Sequence, residues 1–242
     1  MRHRKALLIR HMKRMQGDRV SAWLSGNGFD LDYRCPAEGE ELPETGEGHA
    51  LAVVYGGVQS ANDDGYVGDE ISWIRRWVGE GRPYLGLCLG GQLLARALGA
   101  TVAGYPEALH EVGFVEIRPA GDPDFLPGPL YVYQWHKEGF VLPDGAELLA
   151  AGDTFPNQAF RFGRAAYALQ FHPEVTVDIM REWMVDGAAS LAAPGASSKA
   201  QQLRDADQYS DDMAAWLETF LARNILPLTV GNPRQGRARR GG

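Results

Sequence analysis

The sequence predicts an α/β protein with a doubly wound, mostly parallel sheet that is flanked by helices and carries an added antiparallel β region. Short apolar runs alternate with helical patterns over residues 1–100, and this alternation is typical of parallel sheets covered on both faces. Residues 103–171 contain short β-like runs broken by Pro and Gly, which favours antiparallel hairpins at the edge of that sheet. The chain becomes helical again after Pro173.

The spacing of apolar residues divides the first part of the chain into elements. Four short apolar or β-rich runs predict strands at residues 5–10, 29–34, 50–55 and 83–87. Apolar residues at helical spacing predict helices within residues 17–28, 69–79 and 91–98. Residues 36–48 form a polar loop that contains Pro and Gly. Trp73 and Trp77 lie at helical core positions, so we expect them to pack in the interior.

The second part of the chain is interrupted more often. Its β-like runs predict strands at residues 113–117, 130–134, 147–151, 158–162 and 166–171. Residues 216–221 include four large apolar side chains at helical spacing and predict a final amphipathic helix, and the small residues at 188–198 predict a linker before it. Residues 231–242 contain four Arg and no acidic residue, so we expect a basic, disordered tail.

Composition restricts the class of protein. The 242 residues are 45% hydrophobic, which is enough for one sizeable core. All 31 acidic residues lie between two basic ends, and this acidic body makes nucleic acid an unlikely main ligand. We find no apolar run that could span a bilayer and no secretory signal, so we expect a cytoplasmic protein with no membrane partner. The two cysteines are then expected to be free thiols, and the scattered histidines predict no metal and no cofactor.

One cysteine lies in a segment that is typical of a catalytic nucleophile. The segment Gly-Leu-Cys-Leu-Gly-Gly-Gln at residues 86–92 follows a buried strand and opens a helix. Glycines on both sides of Cys88 allow neighbouring backbone to pass, so that a sharp turn can direct the thiol to the carboxyl end of the sheet. The helix N-terminus favours the reactive thiolate. The alternative is that Cys88 is a small buried hydrophobic residue, as most cysteines are.

A histidine and a carboxylate in the later part of the chain can serve that thiol. His172 and Glu174 lie in Gln-Phe-His-Pro-Glu, at the end of the predicted strand 166–171. Residues two apart on a strand point the same way, so we expect Glu174 to reach the far nitrogen of His172 and to fix its tautomer. The alternative is a surface histidine followed by a helix-capping Glu. His136 is not predicted to be the base, because we do not expect a carboxylate to hold its ring as Glu174 holds that of His172.

Together, the segment at residues 86–92 and Phe-His-Pro-Glu at residues 171–174 resemble class I glutamine amidotransferases. Three further segments are similar to stand-alone members that resemble the glutamine amidotransferase domain of GMP synthase: His-Glu-Val-Gly at 110–113, Gln-Trp-His at 134–136 and Pro-Asn-Gln-Ala-Phe-Arg at 156–161. The resemblance implies a flavodoxin-like amidotransferase domain over residues 1–190. We expect a helical extension at residues 199–226 to pack on this domain and the tail at 231–242 to follow it.

The resemblance also implies a reaction and a set of site residues. Cys88 would attack the side-chain amide of glutamine, with His172 moving protons and Glu174 orienting it, and a γ-glutamyl thioester would be hydrolysed after ammonia leaves. The backbone amides of Gly57 and Leu89 would form the oxyanion hole. The implied substrate-binding residues are Gly56, Gln92, Trp135 and His136. Trp-His-Lys-Glu at residues 135–138 stands where the subgroup has Trp-His-Gly-Asp.

Several readings of the sequence stay open. Gly56 and Gly57 are also compatible with a plain strand-end turn, and Gln92 with a solvated residue at a helix start. The chain is expected to act on glutamine or another γ-glutamyl small molecule, either as an amidotransferase whose ammonia acceptor lies on a partner synthetase chain or as a γ-glutamyl peptidase or hydrolase. A third alternative is a regulatory module without catalytic activity.

Overall fold

The structure is a computed structural model that describes residues 4–12, 17–45 and 48–230. The predicted basic tail at residues 231–242 lies outside these residues. The strands are β1 (Arg4–Ile9), β2 (Phe29–Arg34), β3 (His49–Val54), β4 (Tyr84–Leu87), β5 (Val102–Gly104), β6 (Glu111–Pro119), β7 (Leu130–His136), β8 (Glu138–Phe140), β9 (Ala146–Ala151), β10 (Ala159–Phe162) and β11 (Ala166–Leu169). The α-helices are α1 (Arg19–Gly26), α2 (Tyr66–Gly79), α3 (Leu89–Ala97), α4 (Val177–Asp186) and α5 (Lys199–Phe220).

Nine strands of the described residues form one mixed sheet in the order β2-β1-β3-β4-β11-β10-β9-β6-β7. The pairs from β2 to β11 are parallel. From β11 onward the sheet continues through β10, β9, β6 and β7 in antiparallel pairs. β5 and β8 form a separate antiparallel ribbon. This architecture confirms the predicted fold class, a mostly parallel sheet with an added antiparallel region.

Helices cover both faces of the parallel part of the sheet. Ala6 and Leu8 of β1 pack in the core that α1, α4 and α5 cover, whereas Leu7 and Ile9 pack in the core that α2 and α3 cover. Side chains alternate between the faces of a strand, so a strand buried on both faces is apolar at every position. This is why β1 appears in the sequence as a continuous apolar run. The carboxyl ends of the parallel strands then meet at one edge, where open α/β sheets bind ligands.

The antiparallel part of the sheet is covered by α5, which contacts β6, β7 and α4. The Tyr133 hydroxyl of β7 donates to Oε1 of Gln202 at 2.8 Å. The indole N–H of Trp216 donates to the carbonyl oxygen of Phe125 at 2.8 Å. The helix begins after Ser198, whose side chain caps it by accepting a backbone N–H. The final helix therefore begins at Lys199, well before residues 216–221, whose apolar spacing predicted it.

The main difference from the sequence-based expectation concerns residues 166–171. We predicted them as one of the antiparallel strands, but β11 pairs in parallel with β4 and antiparallel only with β10. A short run buried on both faces carries no signal about its partners, because its periodicity is the same in either direction. β11 also ends at Leu169, so His172 and Glu174 lie in the following turn. The strand-spacing argument that placed these two side chains together is therefore wrong.

Smaller differences concern short elements. The predicted loop 36–48 contains a 3₁₀ turn at Pro36–Glu38, and the predicted linker contains another at Ala188–Ala192. The ribbon strands β5 and β8 have three residues each, which is too short for a periodic signal. Trp73 and Trp77 are buried as predicted. No helix in the described part of the chain is long and apolar enough to cross a membrane.

Candidate active site

Cys88 occupies the turn between β4 and α3, at the carboxyl end of the parallel strands. Its backbone has φ 49° and ψ −106°, and residues other than glycine rarely adopt a positive φ. The Cys88 N–H donates to the carbonyl oxygen of Leu169 at 2.8 Å, and the Cys88 carbonyl accepts from the N–H of Gln92 at 3.0 Å. The turn is thus held from both sides in a strained conformation, and such strain clusters at functional sites.

Two glycines provide the space that this turn needs. A Cβ on Gly86 would lie within 3.0 Å of the carbonyl oxygen of Gly90, and a Cβ on Gly90 would lie within 3.0 Å of the carbonyl oxygen of Val54. Both neighbours are backbone atoms, which cannot move aside as a flexible side chain can. Neither glycine has a positive φ. Close approach of the backbone, and not an unusual dihedral angle, therefore explains the glycines on either side of Cys88.

His172 lies beside the turn and is held by a carboxylate. Its Nδ1 is 2.9 Å from Oε1 of Glu174, and the two side chains are 3% and 0% exposed. Its backbone N–H donates to the carbonyl oxygen of Tyr133 at 2.8 Å. A Cβ on Gly56 would contact both the ring of His172 and Cβ of Cys88, so the two side chains border the same point. Because Nδ1 is engaged by the carboxylate, Nε2 is the nitrogen left for the thiol.

The charge state of His172 follows from these neighbours. Burial lowers the pKa of its imidazole, but the charges and hydrogen bonds of Cys88 and Glu174 outweigh burial and raise that pKa to about 10. His172 is consequently an imidazolium at neutral pH, and its positive charge favours the charged form of a neighbouring acid. The thiolate is the nucleophilic form of cysteine, so this arrangement can support covalent catalysis.

The turn that carries Glu174 is anchored to the first residue of α1. The backbone N–H of Arg19 donates to the carbonyl oxygen of Glu174 at 2.9 Å. The Arg19 guanidinium donates to the carbonyl oxygens of Pro173 and Val175. These bonds explain how His172 and Glu174 meet although neither lies on a strand.

Gly56 and Gly57 form a turn that faces the histidine and the start of α3. A Cβ on Gly56 would lie 2.7 Å from Cε1 of His172. A Cβ on Gly57 would lie 2.7 Å from Cβ of His11 and 3.0 Å from Cδ2 of Leu89. The structure therefore brings the predicted oxyanion-hole residues, Gly57 and Leu89, together beside the elbow. Side chains are excluded from the turn by close approach, which makes this more than a plain strand-end turn.

The end of β7 forms another wall of the site. The carbonyl oxygen of Trp135 is 4.0 Å from Sγ of Cys88. Nε2 of His136 lies 3.0 Å from Oε2 of Glu111, its cross-strand partner on β6, and Nδ1 lies 3.0 Å from the carbonyl oxygen of Glu138. The expectation that His136 has no carboxylate partner is therefore wrong. Both of its ring nitrogens are engaged, so neither is left to deprotonate a thiol.

Gln92 is buried and anchored. Its Nε2 donates to the carbonyl oxygen of Glu138 at 2.7 Å and to Oε1 of Gln170 at 3.3 Å. Nε2 of Gln170 in turn lies 3.8 Å from Sγ of Cys88. Gln92 is 3% exposed, so the alternative of a solvated residue is wrong. Gln92 and His136 both bond to the backbone carbonyl of Glu138. These contacts do not depend on the side chains at 137–138, where this chain has Lys-Glu and the subgroup has Gly-Asp.

Two adjoining cavities open at this edge of the sheet and share Gly57, Val58 and Trp135 in their walls. One has a volume of about 190 Å³ and is lined by Cys88 together with Gln92 and His136, among others. The other has a volume of about 170 Å³ and is lined by His172 together with Trp183 of α4, among others. The thiol and the histidine thus border different cavities of one site.

Sequence reasoning did not identify three groups that shape the site. Glu111 lay inside a segment that carried the family resemblance and Gln170 directly preceded another, but nothing local indicated their partners. No sequence pattern indicated a role for Arg19, because its contacts in the site are to backbone atoms of residues 173–175. Within residues 4–12, 17–45 and 48–230, no group of three or more His, Cys, Asp or Glu is placed to hold a metal ion.

Fold and site together define an α/β protein with a cysteine at a strand-to-helix elbow and a buried histidine–carboxylate pair facing it. The family model for glutamine amidotransferase class-I matches residues 32–187, which is more than half of the chain. The chain belongs to the class I glutamine amidotransferase family.

Relatives agree with this assignment. A Salmonella typhimurium protein, the glutamine amidotransferase-like protein YfeJ, is 32% identical over 182 residues, which are 70% of this chain and 75% of that protein. A glutamine-hydrolyzing GMP synthase subunit of Thermococcus kodakarensis is 39% identical over 98 residues, which are 38% of this chain and 51% of that protein. A solved glutamine amidotransferase from Thermotoga maritima has a TM-score of 0.83 at 26% identity and covers 96% of this chain and 100% of its own.

Proposed function

We propose that this chain hydrolyses the side-chain amide of glutamine, with Cys88 as the nucleophile, His172 as the acid and base, and Glu174 as the group that orients His172. One observation carries the proposal: the cysteine on the elbow lies beside a buried imidazole whose Nδ1 is 2.9 Å from a carboxylate. Family membership agrees with the choice of glutamine.

The proposed acylation step moves one proton twice. His172 holds the proton that the Cys88 thiol has given up, and Sγ attacks the γ-carbonyl carbon of the substrate to form a C–S bond. The tetrahedral intermediate collapses as the C–N bond breaks, and His172 gives its proton to the departing nitrogen. Ammonia leaves, and a γ-glutamyl thioester remains on Cys88. Water then attacks the thioester with His172 as the base, which releases glutamate and restores the thiol.

The other proposed roles belong to groups around the elbow. The backbone amides of Gly57 and Leu89 would stabilise the oxyanion, and losing one such donor typically costs about 100- to 1000-fold in rate. Gly56 would let the substrate approach His172 closely. Gln92, Trp135 and His136 would position the glutamine within the cavity that Cys88 lines. The buried bonds of Gln92 and His136 support these roles, because fixed side chains bind a substrate without a further entropy cost.

The released ammonia is proposed to pass to an acceptor on a synthetase partner chain. The similarity to a protein named as one subunit of GMP synthase supports such a partner. We further propose that residues 1–190 form the amidotransferase domain and that residues 199–226 are an extension of it, in line with the match at residues 32–187. Two free cysteines support a cytoplasmic location.

Purified protein tests this function directly. We expect wild-type protein to convert glutamine to glutamate and ammonia, alone or after addition of cell extract, and Cys88→Ala to abolish the reaction. Cys35→Ala is the matched control, because it removes the other free thiol and should keep full activity. Mass spectrometry of wild-type protein with substrate should find a γ-glutamyl group on the peptide that contains Cys88. Inactivity of the wild type under every condition would favour the regulatory alternative.

A second candidate function is hydrolysis of a γ-glutamyl amide whose leaving amine is larger than ammonia. The cavity on the His172 side favours it, because the leaving nitrogen must accept its proton from that residue. Its volume of about 170 Å³ compares with about 10–15 Å³ on the same kind of measure for one water molecule, and ammonia is no larger than water. Trp135 and Trp183 border this cavity and fit an apolar or aromatic substituent.

A substrate series separates the two candidates. kcat/KM would be measured for glutamine, γ-glutamylmethylamide and γ-glutamylbenzylamide under the same conditions. The second candidate predicts that kcat/KM rises with the size of the amine. Cleavage of glutamine without cleavage of the benzylamide would leave glutamine hydrolysis as the function.

A further inference from the structure

A second buried histidine–carboxylate pair lies behind the Gly56–Gly57 turn, and the mechanism above does not use it. His11 follows β1, and its Nε2 is 3.0 Å from Oε2 of Glu70 on α2. Both side chains are 0% exposed. Nδ1 of His11 is 3.2 Å from the carbonyl oxygen of Gly56. The pair therefore connects the body of α2 to the turn beside the nucleophile.

The partners of His11 define its protonation. A carbonyl oxygen can only accept a hydrogen bond, so Nδ1 of His11 must carry hydrogen for the contact with Gly56 to form. With hydrogen on both ring nitrogens, His11 is an imidazolium that donates to Gly56 and to the Glu70 side chain. Burial lowers the pKa of His11, but the hydrogen bond and charge of Glu70 and the backbone carbonyls of Gly56 and Tyr55 outweigh burial and raise it. The carboxylate thus keeps hydrogen on the nitrogen that faces Gly56.

That contact also determines the direction of the next backbone amide. The Gly56 carbonyl and the Gly57 N–H belong to one planar trans peptide unit, in which the two groups point in opposite directions. Holding the carbonyl oxygen toward His11 therefore turns the Gly57 N–H away from His11. Glycine flanked by glycine has little conformational preference of its own, so this peptide needs an external anchor to keep one orientation.

We propose that His11 and Glu70 are positioning residues that aim the Gly57 N–H at the oxyanion of the reaction. The proposal rests on the proposed function, in which Gly57 is an oxyanion donor. His11 acts on the peptide, not on the substrate, and Glu70 acts through His11. Packing supports the assignment, because Cβ of His11 lies close enough to exclude any side chain at Gly57.

The decisive experiment compares two reactions of the same thiol. Hydrolysis of glutamine needs an oxyanion donor, whereas alkylation of Cys88 by iodoacetamide is a substitution at a saturated carbon and needs none. We expect His11→Ala to lower kcat for glutamine by about 100-fold, the lower end of the loss of one oxyanion donor, with little change in KM. The alkylation rate of the Cys88 peptide, read by mass spectrometry, should stay within about two-fold of wild type, since the acid–base pair is untouched.

Two further variants separate positioning from general damage. The side-chain amide nitrogen of His11→Asn can take the place of Nδ1 and donate to Gly56, so this variant should recover about ten-fold in kcat over His11→Ala. Glu70→Leu keeps the approximate volume of the side chain but has no polar atom to hold Nε2, so nothing fixes hydrogen on Nδ1 of His11 and kcat should fall by about ten-fold. If His11→Ala does not fold, the Glu70 variant takes its place in the comparison of the two reactions.

His49 provides a matched control. Its Nε2 is 3.0 Å from Oδ2 of Asp32, so it forms another histidine–carboxylate pair, with a buried imidazole and a partly exposed carboxylate, at the start of β3. His49→Asn should change neither kcat nor the alkylation rate. Equal losses in both reactions for the His11 and Glu70 variants would reduce the pair to a structural role and overturn the proposal.

A measurement on wild-type protein needs no variant. Nitrogen-15 NMR of the histidine side chains at neutral pH should show His11 protonated at both ring nitrogens, and an unprotonated Nδ1 would overturn the proposal. The positioning role of His11 and the proposed glutamine hydrolysis would be contradicted by different results. If wild type hydrolyses glutamine and Cys88→Ala does not, while His11→Ala is fully active, the positioning role is wrong and the proposed function stands.

Discussion

The elbow at residues 86–92 and the β6–β7 hairpin border the same cavity, but contacts of very different sequence separation build them. The elbow is marked by one short segment, in which Gly86 makes room for Gly90 four positions further on, although Gly90 also makes room for Val54 of the neighbouring strand. The hairpin depends on Glu111 bonding to His136, 25 positions away, and on Tyr133 of β7 bonding to Gln202 of α5, 69 positions away.

Because of this difference, we expect mutations at the elbow and in the β6–β7 hairpin to affect different properties of the protein. A local turn keeps its geometry as long as the adjoining strand and helix form, so changes there should act mainly on the chemistry of the thiol. A wall assembled from distant segments depends on the packing of α5, so changes there should act on stability and on substrate binding.

Trp216→Ala should cause the largest loss of stability, because Trp216 carries much of the contact between α5 and the rest of the protein. Its side chain is 9% exposed, stacks on Phe220 with ring centroids 5.3 Å apart, and donates to a backbone carbonyl. We expect the free energy of unfolding to fall by about 3–5 kcal/mol, measured by urea unfolding. Trp216→Phe keeps an aromatic ring and should lose less. Unfolding at an unchanged urea concentration would show that α5 does not support the hairpin.

Gly90→Ala should disturb the elbow and lower both the free energy of unfolding and the glutaminase activity. The added methyl group would lie within 3.0 Å of the Val54 carbonyl oxygen, so β3 and α3 must separate. Such overpacking typically costs about 1–3 kcal/mol, and glutaminase activity should be lost in protein that is still folded. Gly68→Ala is the control, because Gly68 is exposed on α2 with no atom within 4 Å of the added carbon. Full activity of Gly90→Ala would refute the close-approach explanation.

Glu111→Gln should weaken substrate binding by disturbing the hairpin wall. Glu111 accepts from Nε2 of Gln158 and pairs with His136, and a hydrogen bond to a charged group contributes about 1.5–3 kcal/mol. We expect KM for glutamine to rise by about ten-fold or more, which is the lower end of that range, with a smaller change in kcat. Glu116→Gln, on the same strand but 37% exposed, should leave KM unchanged. A fall in kcat at constant KM would instead place His136 in the chemical step.

The smallest effect concerns the pKa of His172, which nearby negative charge raises. Replacing Cys88 by Ala removes one of these charges, so the imidazolium loses stabilisation and the pKa of His172 should fall below about 10. NMR titration of the imidazole measures it, with Cys35→Ala as the control that should leave the pKa in place. An unchanged pKa in Cys88→Ala would mean that Cys88 contributes no charge to the pair.

Much of the parallel half was predictable, because each of its strands and helices has its own apolar period. The antiparallel strands were also located, but the position of β11 beside β4 was not, since a short buried run pairs equally well in either direction. The same limit applies to the site. Cys88 was identified from its neighbours, whereas the contact between Glu111 and His136 and the anchoring of Glu174 by Arg19 join segments that no local pattern relates.

By itself the sequence determined the strand-turn-helix at Cys88, because the pattern that marks it lies within a few positions of the cysteine. The sequence also favoured His172 over His136, but only the tertiary structure decided which of the two has a ring nitrogen available beside Cys88. His136 and His172 each follow an apolar run, but the order of the strands places His172 beside Cys88 with one nitrogen available, while Glu111 and a backbone carbonyl occupy both nitrogens of His136. The reason is physical: a hydrogen-bond partner is a matter of position in space, and strand order sets that position.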